Sequence, residues 1–358
     1  MTQQVFAIGV TEENKKLSLV QITRREPGAN DVAIEIDYCG VCHSDLHHAR
    51  DEWGEAKKPA VPGHEIVGHV TAVGSGVTKF KVGDAVGVGC FVDSCRTCTE
   101  CKDDLIQYCA NGVTGTYGAP DKSSPGQFTL GGYSQAIVVD ENYVLRVPDN
   151  LDLAAAAPLL CAGITVWSPM AHYGVKAGSK VAVLGLGGLG HMAVKFASKL
   201  GAHVTVLSRS ANKTDEAKKL GAEDLLLTSD PEAFKAASRT FDFIVDTVSD
   251  NHDINAYCSL LRTDGTLILV GGSPSPLTLH AFSLIPKRIK IGGSLVGGIK
   301  ETQEMLDFCG KHNVVSEIEL IKAEYTEKAW DRVVKSDVKF RFVIDIKGSL
   351  NKDTVVAV

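Results

Sequence analysis

What this chain is short of is uncompensated charge: 43 acidic residues stand against 37 basic ones, leaving a formal net charge of −6. That small negative excess excludes a general electrostatic attraction to nucleic acid or to an anionic membrane surface. Also missing are internal repeats, low-complexity segments and a basic N-terminal stretch leading into an apolar core. The expectation is therefore a chain without a secretory signal that stays in the cytoplasm. Charges are absent over residues 153–171, a stretch long enough to raise the membrane question. Its five alanines before Gly163, with Pro158, Pro169, Thr165 and Ser168, favour a buried interdomain helix over a membrane span.

Cysteine is the opposite case, with ten in the chain. Clustered cysteines in a cytoplasmic protein point to metal rather than to disulfides. At 358 residues, with 44% hydrophobic and 22% charged content, the sequence reads as a soluble globular protein too long for one ordinary core. Two domains are expected.

The stretch that organises the rest is Gly185-Leu186-Gly187-Gly188-Leu189-Gly190, which fits G-x-G-x-x-G. The apolar run 181–184 ahead of it reads as a buried parallel strand, and 191–200 behind it, with Met192, Phe196 and Leu200, as a helix. Side chains at the glycine positions would hold the backbone away from a pyrophosphate, which has to reach the N–H groups at the helix N-terminus. Beyond the turn, strand-like runs at 203–207, 224–227, 241–246, 265–270 and 289–295 alternate with helical stretches such as 212–220. That alternation marks a doubly wound parallel sheet. A protein preferring NAD normally has an acid about 20 residues past the first glycine. Here that acid is missing: Ser208 stands 23 residues past Gly185, followed by Arg209 and Ser210, with Lys213 one turn into the next helix. Hydroxyls and cations suit a 2′-phosphate, which predicts NADP(H).

Ahead of residue 150, β-branched runs at 32–36, 66–73, 85–88 and 135–139 are separated by turn signals such as Pro27-Gly28, Pro62-Gly63 and Gly83-Asp84, the pattern of a mainly antiparallel β domain. Within it, Cys39-Gly40-Val41-Cys42-His43-Ser44-Asp45-Leu46-His47 and Pro62-Gly63-His64-Glu65 supply thiolate, imidazole and carboxylate, the ligands of a catalytic zinc. By themselves these residues fit equally a redox pair, half of a structural site or a core histidine. Cys95, Cys98, Cys101 and Cys109 lie in one polar loop of fifteen residues and are enough to close a tetrahedral zinc shell, a structural site. An iron–sulfur cluster is the rival reading.

Taken together, the segment Cys42 to His47, Gly63-His64-Glu65, the four-cysteine loop, Pro158-Leu159-Leu160-Cys161-Ala162-Gly163-Ile164-Thr165, the glycine turn and Phe340-Arg341-Phe342-Val343-Ile344-Asp345 resemble the zinc-dependent medium-chain alcohol dehydrogenases over nearly the whole chain. The likeness is to the cinnamyl-alcohol-dehydrogenase branch and its NADPH-dependent aldehyde reductases. It implies a GroES-like, mainly-β catalytic domain of residues 1–156 and 298–358, a Rossmann cofactor domain of residues 157–297, and an active site in the cleft between them. It also implies two zinc ions. Cys42, His64 and Cys161 would hold the catalytic one, with Glu65 entering or leaving its shell, and the four-cysteine loop would hold the structural one. Asp45 is then the acceptor that orients the His64 ring. Ser44 and His47 would form a proton relay running from hydroxyl through cofactor ribose to an imidazole at the solvent edge. Thr165, Val270 and Arg341 are expected at the cofactor beside the glycine turn, Arg341 at its pyrophosphate, and Trp53, Cys90, Tyr117, Leu295 and Val296 in the walls of the substrate pocket.

The reaction implied is reversible hydride transfer between NADPH and an aldehyde or primary alcohol, with aryl and medium-length chains preferred over sugars. On the same scaffold the alternative is a polyol dehydrogenase or a reductase of conjugated or iminium substrates; outside enzymes it is a nucleotide-binding redox sensor. A homodimer is expected, because the apolar, glycine-rich strand 289–298 would form a sheet edge that needs cover.

Overall fold

The computed structural model describes residues 2–12 and 16–357. The chain divides into two units, Met1–Cys161 with Gly297–Val358, and Ala162–Val296. In the first, the strand Asp31–Gly40 alternates buried and half-exposed side chains for most of its length, as a strand with one face on a core must. It pairs antiparallel with Ile66–Val73, Ala136–Asp140 and Arg341–Asp345 in a seven-stranded sheet. Ile34, Ile36, Ile66, Val86, Phe342, Ile344 and Trp330 build the core against it. Where three of these strands end, the Gly40 N–H donates to the Glu65 carbonyl at 2.9 Å and the Val41 N–H to the Phe342 carbonyl at 2.9 Å. Segments remote in sequence therefore converge at one point of the sheet.

The first unit runs to Cys161, past the expected boundary at 156. The reason is local. Pro158 sits in the first turn of a 3-10 helix, Ala157–Leu160, whose four residues are all buried. Gly87, in the strand Ala85–Val88, comes so close that a Cβ there would stand 2.7 Å from Leu160 Cδ1. The uncharged stretch 153–171 is accordingly not one helix but Leu153–Ala156, Ala157–Leu160 and Ala162–Tyr173. No single helix among the described residues is long and apolar enough to cross a membrane.

The second unit is a six-stranded parallel sheet in the order Asp224–Leu227, His203–Ser208, Lys180–Leu184, Phe241–Asp246, Leu261–Leu269, Lys290–Gly293. Counted within the unit this is 3-2-1-4-5-6, the Rossmann order. Strand addition reverses between Lys180–Leu184 and Phe241–Asp246, which is where such sheets hold dinucleotides. Two strands differ from expectation. The run 265–270 starts earlier and stops at Leu269, while the last strand covers only Lys290–Gly293, leaving Leu295 and Val296 beyond the ladder.

A candidate metal centre and a dinucleotide edge

Cys42 caps the helix His43–Ala49, and Asp45 at its third position returns the bond by accepting from the Cys42 N–H at 2.8 Å. His64 and Glu65 directly precede the strand Ile66–Val73, and Cys161 follows the 3-10 helix. These four residues, all buried, bring one ligand atom each to within 4.8 Å of the others. Cys42 Sγ and Cys161 Sγ are 4.0 Å apart. That contact pulls the Cys42 thiol well below its ordinary range and pushes Cys161 well above it. Burial drives the Glu65 carboxyl up to about 8, opposed by Arg341. His64 Nε2 and Glu65 Oε2 are buried with no hydrogen-bond partner. Leaving such a group unmet costs about 1–3 kcal/mol, so two orphans aimed at two thiols fit a cation that all four share. Two sulfurs, one imidazole and one carboxylate are a zinc donor set.

The loop Cys95, Cys98, Cys101 and Cys109 forms a second set within the same 4.8 Å limit. Backbone N–H groups point at its sulfurs: Cys98 N–H to Cys95 Sγ at 3.4 Å, and Cys95 N–H to Cys109 Sγ at 3.5 Å. Hydrogen bonds from the Asn111 side chain and from the Thr97 and Cys98 N–H groups bring the Cys95 thiol down to about 5. Donors of this kind favour the thiolate, the form that binds metal.

In the second unit, Gly185 leaves its strand with φ +89°, a conformation that asks for glycine. A Cβ at Gly190 would collide with the Gly185 carbonyl, so the helix Gly188–Lys199 can close on the strand only with glycine there. At the same edge the strand His203–Ser208 ends. The Ser208 hydroxyl accepts from the Ser210 N–H at 3.1 Å, Arg209 and Ser210 are exposed, and Lys213 Nζ donates back to the Leu186 carbonyl at 3.3 Å. The four residues expected at a 2′-phosphate thus lie beside the glycine turn. Val270 follows the neighbouring strand, its N–H on the Asp246 carbonyl at 3.0 Å, and Thr165 is buried in the helix Ala162–Tyr173.

Other expected residues stand differently. Arg341, expected at the cofactor pyrophosphate, is buried in the first unit with its NH2 on Glu65 Oε1, because the strand Arg341–Asp345 runs beside Asp31–Gly40 and delivers its first residue to the metal cluster. Trp53 is 66% exposed and stacks on the His47 ring at 4.9 Å. His47 Nδ1 pairs with Glu52, and the Cys42 thiol reaches Ser44 Oγ at 3.7 Å. The Cys90 thiol reaches the Leu160 carbonyl at 3.9 Å, directly beside Cys161, and the Tyr117 hydroxyl lies 3.2 Å from His64 Nδ1, so both stand beside the cluster. Leu295 and Val296 belong to the second unit, the former 51% exposed. Sequence reasoning missed three supports: Arg341 on Glu65, Tyr117 on His64, and the Tyr133 hydroxyl, which donates to Asp45 Oδ2 at 3.1 Å while accepting from Trp330 Nε1 at 3.4 Å. It also missed Asp246, which ends the strand beside the glycine turn and holds His252 Nε2 at 2.6 Å.

Two family models match, the alcohol dehydrogenase GroES-like domain over residues 28–149 and the zinc-binding dehydrogenase over residues 188–311. Among curated relatives, NADP-dependent alcohol dehydrogenase C 1 of Mycolicibacterium smegmatis is 55% identical over 342 residues, covering 95% of this chain and 97% of that one. A cinnamyl alcohol dehydrogenase of Sorghum bicolor superposes with a TM-score of 0.94 at 46% identity, covering 98% of this chain and all of that one. The Helicobacter pylori enzyme solved with NADP(H) superposes with a TM-score of 0.91 at 43% identity, with the same coverage.

Proposed function

The chain belongs to the zinc-binding alcohol dehydrogenase family, and on that premise we propose that it interconverts aldehydes and primary alcohols with NADP(H) at the Cys42–His64–Glu65–Cys161 cluster. It is an oxidoreductase with a GroES-like catalytic domain and a Rossmann domain. The observation that carries the assignment of the site is the convergence of four buried ligand atoms, with His64 Nε2 and Glu65 Oε2 otherwise unpartnered.

When bound, zinc and NADP(H) supply a Lewis acid for a carbonyl oxygen and a hydride. Cys42, Cys161 and His64 would hold the metal, with Glu65 as a further donor whose charge Arg341 offsets. Ser44 Oγ delivers the proton to the carbonyl oxygen as the carbon takes the hydride, and His47, whose side chain is 36% exposed, recovers a proton from water. Gly185 to Gly190 take the pyrophosphate, and Ser208, Arg209, Ser210 and Lys213 the 2′-phosphate. The Cys95–Cys98–Cys101–Cys109 loop holds the structural zinc. Trp53 and Cys90 line the aldehyde's path on the first unit, and their apolar surfaces favour aryl and medium-length aldehydes.

A second copy of the chain covers the edge strand Lys290–Gly293 and the segment that leads into it, where Phe282 is 70% and Ile285 64% exposed. The cytoplasm is the matching compartment, since none of the ten cysteines is joined in a disulfide and six of them lie in the two ligand sets. Metal analysis tests the pair of sites: the reading expects two zinc ions per chain, and one zinc or stoichiometric iron contradicts it.

A further inference from the structure

The strands Lys180–Leu184 and Phe241–Asp246 flank the place where strand addition reverses, and their last residues, Leu184 and Asp246, are partners in register. A buried carboxylate therefore stands at the crevice proposed for an anionic dinucleotide. Three segments meet on this residue. Its backbone carbonyl accepts from the Val270 and Gly271 N–H groups, both at 3.0 Å, and its Oδ1 from the Val248 N–H at 3.1 Å. Thr247 ties the same loop to the glycine turn: its hydroxyl donates to the Leu184 carbonyl at 2.8 Å, and a Cβ on Gly185 would stand 3.0 Å from that hydroxyl.

The third segment brings His252. Its Nε2 lies 2.6 Å from Asp246 Oδ2 and its Nδ1 2.8 Å from the Asp250 carbonyl. A carbonyl oxygen only accepts, and so does an ionised carboxylate, so bonding on both sides asks for a proton on each ring nitrogen. The His252 and Asp246 side chains are 12% and 2% exposed, a charge pair nearly shut off from water. Burial works against the imidazolium, but the Asp250 carbonyl and the carboxylates of Asp246 and Asp250 outweigh it and raise the ring above its ordinary value. Tyr257, from the helix Ile254–Leu260, also packs on the ring at 5.9 Å between centroids, and itself feels the charges of Asp246, Arg209 and Asp253.

We propose that His252 is a positioning residue of the dinucleotide site: as an imidazolium bridging Asp246 and the Asp250 carbonyl, it pins residues 247–251 beside the glycine turn and cancels the negative charge that Asp246 places at the crevice. The proposal rests on the reading of that edge as the NADP(H) site. When the ring loses its proton, a carboxylate is left uncompensated where phosphates must come, so cofactor affinity falls as pH rises above the neutral range. NADH suffers as NADPH does, unlike the loss expected from the residues at the 2′-phosphate.

Fluorescence titration of the zinc-loaded enzyme with NADPH and with NADH, over a series of pH values, tests it. His252→Gln, which cannot carry a charge, is expected to bind both cofactors roughly tenfold more weakly at neutral pH and to lack the wild type's loss at higher pH. Asp246→Asn keeps an acceptor for the Val248 N–H and removes the charge. Added to His252→Gln, it is expected to restore most of the lost affinity, which a pair needed only for packing would not do. The ring-nitrogen NMR signals of His252, assigned by their disappearance in His252→Gln, are expected to be those of the doubly protonated form at neutral pH. A neutral ring there, a His252→Gln protein that binds NADH as the wild type does, or a loss that Asp246→Asn deepens overturns the proposal while the cofactor site stands. If the wild type binds neither cofactor, the site and the proposal fall together.

Discussion

On the proposed reading, cofactor choice rests on four side chains at and just past the end of one strand. Ser208, Arg209, Ser210 and Lys213 stand beside the glycine turn, and NADH has no 2′-phosphate for them to hold. A charge-assisted contact contributes about 1.5–3 kcal/mol and about 1.4 kcal/mol is a factor of ten, so Arg209→Ala should lower kcat/KM for NADPH roughly tenfold to a hundredfold and leave NADH nearly untouched. Ser208→Asp adds repulsion against the phosphate and an acceptor for the NADH ribose, and the preference should reverse. Equal loss with both cofactors in Arg209→Ala would show the side chain to be structural. A second residue-scale prediction concerns Glu65 and Arg341, each buried and each the other's ion partner. Arg341→Leu strands a carboxylate in the core and should cost about 3–5 kcal/mol in urea denaturation, most of it recovered by adding Glu65→Gln. A cost under about 1 kcal/mol would mean that Glu65 is neutralised by a proton or a metal rather than by Arg341. The residues proposed for the 2′-phosphate could be named in sequence because they sit at a fixed offset from a local motif. The partner of Arg341 was not, because it is set by which strand ends meet in the sheet, and 65 and 341 are joined only there.

Among the elements, buried strands were the most readable: 66–73, 85–88, 224–227 and 241–246 are strands at those residues, since continuous or alternating burial leaves its period in the sequence. Apolar content alone does not mark where a hydrogen-bond ladder stops, which is why 289–295 shrank to Lys290–Gly293 and why 153–171 broke into three pieces at Pro158 and Cys161. The two cysteine sets differ as elements do. One is a closed loop of nearby residues, and the other collects 42, 64, 65 and 161 from remote stretches of the chain around a sheet with a hydrophobic core of its own. Cys95→Ser should therefore lower the thermal midpoint, because metal binding there is folding free energy, whereas Cys42→Ser should keep the midpoint and lose turnover. Equal losses of stability in both would contradict that division. For the sheet edge, Phe282→Glu with Ile285→Lys should convert a dimer to a monomer by light scattering at micromolar protein; a wild type that is already monomeric would remove the dimer.

For the molecule as a whole, the fold class could be read from the alternation of strands and helices around one glycine turn and the β-branched runs before it. The metal ligands could be named in sequence only through the resemblance, since Cys39 and Cys42 alone fit a redox pair equally well; in the structure Cys42 joins the cluster, while Cys39 lies in the core as an inert thiol that burial keeps well above its ordinary range. What no spacing could reveal is the scaffolding around those ligands, Asp45 accepting from the Cys42 and Gly63 N–H groups and from Tyr133, with Tyr117 and Arg341 beside it, because each contact is made by tertiary packing. The central claim is that this buried cluster performs the aldehyde chemistry with NADPH. It is tested most directly by the rate of NADPH loss with benzaldehyde in the wild type and in Cys42→Ser of equal urea midpoint. The account predicts turnover by the wild type and a rate at least about 100-fold lower in the variant. A Cys42→Ser protein that reduces benzaldehyde at the wild-type rate, or a two-zinc wild type that consumes no NADPH with any aromatic or aliphatic aldehyde, would contradict it.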